Sequence, residues 1–158
     1  MSTRDAKLES YVREAMQLAE RAAKMGSRPF GAVLVDAAGE VVARDRNRVA
    51  ELADPLAHAE VNLIRAQCRA TDTLTLAGFG IYTNAEPCAM CFSAMVNVEL
   101  AVLGYGAPRE PGTFPDIGIE ELSSRSGPQR IEVHAGVLRA EAEAQRDRLA
   151  RLEQQDGS

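Results

Sequence analysis

The chain has 158 residues, 46% apolar and 26% charged, and carries a net charge of −5 from 18 basic and 23 acidic side chains. At roughly 100–200 residues per domain this is one domain, residues 1–158 with a core over about 5–150. No apolar run approaches the ~20 residues of a bilayer span, and the acidic balance excludes a surface that binds polyanions along its whole length. Three cysteines are too few for a disulfide scaffold, and Met1–Asp5 runs into a polar stretch without a secretory apolar segment. A cytoplasmic protein in a reducing compartment is therefore expected.

Leu8 to Met25 places Leu8, Tyr11, Val12, Ala15, Leu18, Ala19 and Ala22 at helical spacing, with Gly26 as its stop. Phe30–Val35 and Glu40–Arg44 flank the turn Asp36-Ala37-Ala38-Gly39 and read as an antiparallel hairpin. Asp54-Pro55 opens a second helix, with Val61, Ile64 and Cys68 on one face. Phe79–Thr83 follows as a strand, Cys88–Val98 as a short helix and Leu100–Tyr105 as another strand. Residues 106–130 are rich in Gly, Pro and Ser, with one helical turn near Ile119–Leu122; a loop this long is often a lid. Ile131–Val133 is a short strand and Val137 to about Leu152 a terminal helix. Strands separated by helices late in the chain pair in parallel, behind the hairpin. The expected fold is α/β: a three-layer α/β/α sandwich on a mixed five-stranded sheet.

Two short motifs carry the chemistry: His58-Ala59-Glu60 and Pro87-Cys88-Ala89-Met90-Cys91. Each opens a helix. Cys88 and Cys91, at i and i+3, share one face of a first turn, where the helix N-terminus favours thiolates. If both helices start at one sheet edge, His58 joins them, and one imidazole with two thiolates suits tetrahedral Zn²⁺. Cys68 lies about 15 Å further along its helix axis, too far to share one ion, and faces the core as a small hydrophobe. Nothing in the spacing of His134 brings it in. Three protein ligands leave a fourth position for water, which marks a catalytic site; a structural zinc site is normally closed by four. On an ideal helix Glu60 would point about 200° away from His58. At a helix start both can face one cavity, where Glu60 would act as general base and then general acid. A redox dithiol and a zinc-stabilised module without catalysis are the alternatives.

In this order, His58-x-Glu60 with Pro87-Cys88-x-x-Cys91 resembles the zinc-dependent cytidine/deoxycytidylate deaminase superfamily. The resemblance covers about residues 5–150. It implies that zinc-activated water replaces an exocyclic ring amine by oxygen while Glu60 moves the protons. The Ala59 backbone N–H would steady developing charge. Asn47 matches an asparagine that hydrogen-bonds the purine, Phe30 an aromatic of the pocket wall, and Asp116, in Phe114-Pro115-Asp116, an acid in the loop beyond the fourth strand.

Within the superfamily, His58-Ala59-Glu60-Val61-x-x-Ile64-Arg65-x-x-Cys68 is similar to the guanine deaminase branch. Together with the acidic charge, this makes a free purine base or related small aminated heterocycle the expected substrate. The alternative is a tRNA-specific adenosine deaminase, with Arg44, Arg46 and Arg48 beside Asn47 contacting phosphates; a nucleoside, cytosine or triazine deaminase is a further alternative. The resemblance also implies a homodimer, with Phe92 and Met95 near its contact, and no membrane.

Overall fold

The structure, a computed structural model, describes residues 1–128 and 130–157. In chain order it contains α1 (Thr3–Lys24), β1 (Gly31–Val35), β2 (Val41–Arg46), α2 (Val49–Leu52), α3 (Ala59–Thr71) and β3 (Gly80–Ala85). These are followed by α4 (Ala89–Asn97), β4 (Val102–Ala107), α5 (Ile119–Ser124), β5 (Glu132–His134) and α6 (Arg139–Asp156). The sheet order is β2-β1-β3-β4-β5. β1 is antiparallel to both β2 and β3, while β3, β4 and β5 run parallel.

Helices cover both faces, so successive residues of the inner strands enter two different cores. Val33, Val35 and Tyr82 pack with Tyr11, Val12 and Leu18 of α1. Ala32, Leu34, Ile81, Leu103 and Tyr105 pack with Leu63, Ile64, Phe92 and Met95 of α3 and α4. Phe92 and Met95, expected near a subunit contact, are thus buried inside the chain's own core. α1 sits so close to the sheet that a Cβ on Gly31 would lie 2.3 Å from the Ala15 carbonyl oxygen, and the Tyr82 ring occupies the space a side chain at Gly104 would need.

Several boundaries differ from the sequence expectation. α1 begins at Thr3 because Ser2 and Asp5 form a reciprocal capping box. Asp54 caps a turn instead of a helix: its Oδ1 accepts from the Leu56 N–H at 2.9 Å, and α3 starts at Ala59. The four-residue α2 was not expected.

The directions of the strands place the site. β2 runs parallel in sense to β3 and β4, and β1 opposite to them. One sheet edge therefore carries the ends of β2, β3 and β4 and the beginning of β1. In open α/β sheets the crevice beyond the strands' carboxyl ends is the usual place for ligands.

Candidate metal centre and active site

His58 and Cys88 are the N-cap residues of α3 and α4, both with extended backbone (φ −68°, ψ 149° and φ −73°, ψ 169°). Neither lies inside its helix, so the helical angle that would turn Glu60 away from His58 does not apply. The two N-caps project their side chains across the sheet edge into one cluster. His58 Nδ1 lies 3.6 Å from Cys88 Sγ and 3.5 Å from Cys91 Sγ. A tetrahedral zinc ion with Zn–S near 2.3 Å and Zn–N near 2.0 Å requires an S···N separation of about 3.5 Å. The donor set and its spacing fit zinc. Among the described residues no fourth His, Cys, Asp or Glu atom joins this cluster.

In the metal-free cluster the two thiols shift in opposite directions. Hydrogen bonds from Cys91 and His58 pull the Cys88 thiol down to about 4. The neighbouring Cys88 sulfur, together with burial, pushes the Cys91 thiol up. The contact with Cys88 raises His58 against the opposing effect of burial. The Cys91 thiol donates to Glu60 Oε2 at 3.2 Å. Glu60 is buried, and desolvation lifts its carboxyl above the ordinary range.

A cavity of about 290 Å³ opens onto the cluster, at the small end of ligand pockets. Asn47, Phe30, Glu60 and His58 line it. Asn47 is buried, and its Oδ1 accepts from the Val49 N–H at 3.1 Å, which fixes the amide with its NH₂ free to donate. Ala59, fully buried, opens α3 with its N–H at the positive end of the helix. Asp116 is not among the lining residues. Its carboxylate bonds the Arg109 guanidinium at 2.5 Å, and its side chain is 61% exposed.

Arg44, Arg46 and Arg48 do not form a free cationic row: they pair with Glu14, Glu51 and Asp45. Cys68 packs against the α3/α4 core, and His134 pairs with Glu132 at 2.8 Å, both apart from the metal cluster.

Sequence reasoning missed several residues. Buried Asn84 accepts from the Gly31 N–H and donates to the Pro29 carbonyl, both at 2.9 Å, and so fixes the segment that carries Phe30. The Asn62 amide donates to the Arg46 and Ala57 carbonyls at 3.2 Å, tying the loop before His58 to α3. α6 forms the far wall through Ala142, Gln145, Arg146 and Leu149. A polar residue inside the apolar strand β3 was a signal for Asn84; the Ala/Glu/Arg-rich sequence of α6 held none.

Comparison with known proteins gives a consistent set of relatives. The cytidine and deoxycytidylate deaminase zinc-binding region matches residues 5–107. A tRNA-specific adenosine deaminase of Agrobacterium fabrum is 37% identical over 114 residues, 72% of this chain and 74% of that protein. The guanine deaminase of Bacillus subtilis is 39% identical over 100 residues, 63% of this chain and 64% of that one. A structure solved in a study of A-to-I editing by tRNA:A34 deaminases at the wobble position is 33% identical. It has a TM-score of 0.77 and covers 86% of this chain and 98% of its own. The guanine deaminase of Nitrosomonas europaea, 24% identical with a TM-score of 0.79, covers 89% and 83% and shares the fold.

Proposed function

The chain belongs to the cytidine and deoxycytidylate deaminase zinc-binding family, and on that premise we propose that this hydrolytic deaminase converts an adenosine of tRNA to inosine with release of ammonia. The observation that carries the substrate is the 33% identity to the tRNA:A34 deaminase structure across 98% of that chain. Two features of the site weigh in the same direction. Asp116, the acid that a guanine-type reading needs, is not among the lining residues and its carboxylate is held by Arg109. The Ile64-Arg65-x-x-Cys68 signature that favoured guanine is used structurally: Ile64 and Cys68 pack in the core and Arg65 pairs with Asp54 at 3.5 Å.

His58, Cys88 and Cys91 would hold zinc, which when bound would supply the Lewis acidity that lowers the pKa of water toward neutrality. Glu60, beside the cluster, accepts the proton of the attacking water and delivers it to ring N1 as oxygen adds to C6. Glu60 then takes the hydroxyl proton of the C6 adduct and passes it to the amine; C6=O forms as the C6–N6 bond breaks, and ammonia leaves. Asn47 donates from its fixed amide to a ring nitrogen, Phe30 bounds the pocket wall, and the Ala59 N–H faces developing negative charge. Burial keeps bulk water from competing for these bonds.

A guanine-type activity is the second reading, favoured by the 39% identity to the Bacillus subtilis enzyme. The test incubates zinc-loaded protein separately with tRNA, adenosine and guanine and follows inosine by nucleoside mass spectrometry alongside ammonia release. Inosine in tRNA is the expected result. Ammonia from guanine alone overturns the proposal.

A further inference from the structure

We propose that Arg28 is a phosphate anchor: its guanidinium takes a phosphate esterified to the ribose of the reacting nucleoside. Three arginines line the cavity: Arg28, Arg109 and Arg146. Two of them are occupied. Arg109 bonds Asp116 and the Thr113 and Pro115 carbonyls. Arg146 donates from Nη1 to the Pro108 carbonyl at 2.9 Å and its Nε sits 2.9 Å from Glu110 in an ion pair, without the geometry of a hydrogen bond. Among the described residues, Arg28 has no carboxylate or carbonyl partner for its side chain. Its contact is the Phe30 ring, with the guanidinium carbon 5.4 Å from the ring centroid.

That contact holds the cation over a cavity wall and leaves its N–H fork open to solvent or a ligand. A cation over an aromatic face is attracted by the ring quadrupole and keeps its in-plane donors free. A guanidinium fork matches phosphate oxygens in a bidentate arrangement. The segment bearing it is fixed, because Asn84 bonds both Pro29 and Gly31.

The direction of a bound purine supplies the ligand, and here the inference rests on the reading of the reaction given above. With C6 at the zinc cluster and Glu60, N9 lies on the opposite side of the ring. The ribose therefore leads away from the cluster toward the open side of the cavity, which Arg28 lines as an exposed residue. A free base brings nothing to this position; a nucleotide, whether mononucleotide or a residue of RNA, brings a phosphate.

The test uses zinc-loaded protein and compares the Kd of inosine with those of its 3′- and 5′-monophosphates, products that do not turn over. The parent protein is expected to bind one of the monophosphates about tenfold more tightly than inosine, as a charge-assisted bond to phosphate implies. Arg28→Gln removes that preference and Arg28→Lys restores part of it. Zinc content and melting temperature serve as controls that the fold is intact. An RNA hairpin with adenosine in its loop is the second arm: Arg28→Gln should lower the slope of log Kd against log salt by about 0.7, the loss of one phosphate contact on a single strand. Equal affinity of the parent for inosine and both monophosphates overturns the inference, as does a preference that survives in Arg28→Gln. The parent's formation of inosine in the hairpin is read separately. If inosine forms while the phosphate preference ignores Arg28, the anchor falls and the tRNA function stands. If no inosine forms while the preference follows Arg28, the tRNA function falls and a free nucleotide is the source of the phosphate.

Discussion

Replacing Glu60 by Gln keeps the volume and hydrogen-bonding capacity of the side chain and removes its proton acceptor. Among the described carboxylates that line the cavity, Glu60 is the one in contact with the His58/Cys88/Cys91 cluster, and the others are engaged or exposed. Glu86 accepts from the Ile119 N–H at 3.3 Å, Glu110 pairs with Arg146 at 2.9 Å, and Glu153 is exposed on α6. General acid–base catalysis contributes about 10²–10⁴-fold, or roughly 3–5 kcal/mol of barrier. Glu60 handles protons at both the water and the leaving amine, so the upper end is expected for kcat. Zinc content should stay at one ion per chain, since Glu60 stands outside the converging ligand set. Stability gives a second readout with a definite sign. Burial raises the Glu60 carboxyl above its ordinary value of 4.5. The contribution of this one group to the metal-free fold is thus fully present below that pH and is lost as pH rises through the elevated folded value, where the buried carboxyl must ionise. Gln carries no such penalty. The metal-free Glu60→Gln protein should melt at the same temperature as the metal-free parent at pH 7, or higher. Turnover by the zinc-loaded variant within about tenfold of the parent would refute the assignment of both proton transfers to Glu60.

Gly31→Ala drives a Cβ to 2.3 Å from the Ala15 carbonyl oxygen and 2.8 Å from the Ala19 nitrogen. Helix α1 must retreat, at a cost of about 1–3 kcal/mol, read as a fall in Tm of roughly 3–10 °C. Asp116→Asn should leave kcat within about twofold, as for a surface substitution; a large loss would mean that the 108–118 loop turns this acid into the cavity during turnover. Cys68→Ser should leave zinc, measured by metal analysis, at one ion per chain, and destabilise by about 1 kcal/mol as a polar atom enters the edge of the core.

The elements that sequence made legible are those with a strong local signal. The apolar stripe of α1, the hairpin around Asp36–Gly39 and the alternation of helix and strand from residue 59 onward all survive in the structure within a few residues. The zinc-ligand cluster was legible too, because thiolates at i and i+3 and an imidazole admit few other uses. What was not legible depended on partners distant in sequence. Asp54-Pro55 has the composition of a helix start, yet the Asp54 side chain satisfies the Leu56 N–H and defers the helix to Ala59. Arg44, Arg46 and Arg48 look like a phosphate-binding row until Glu14, Glu51 and Asp45 are folded against them. Arg28 draws no attention in the sequence; its meaning comes from Phe30 beneath it and from the carboxylate and carbonyls that occupy Arg109.

The same logic explains why two asparagines support the site without touching the metal cluster. A zinc ligand at an N-cap has gained freedom of direction, since its backbone is extended, and has lost the rigidity of the helix ladder. That rigidity has to come from elsewhere. Asn62 returns it to His58 by bonding the Ala57 and Arg46 carbonyls from within α3, so the loop carrying the ligand is tied to the helix it opens. Asn84 does the corresponding work across the sheet, where its two bonds to Pro29 and Gly31 continue the pairing of β1 with β3 beyond Ala32 and Thr83. A tetrahedral metal tolerates errors of only a few tenths of an ångström in its ligands. Side-chain amides can hold the loops to that tolerance because their donors and acceptors have fixed geometry. Partly buried Asn62 uses its NH₂ twice, while buried Asn84 uses its oxygen and its NH₂, and burial makes those bonds costly to break.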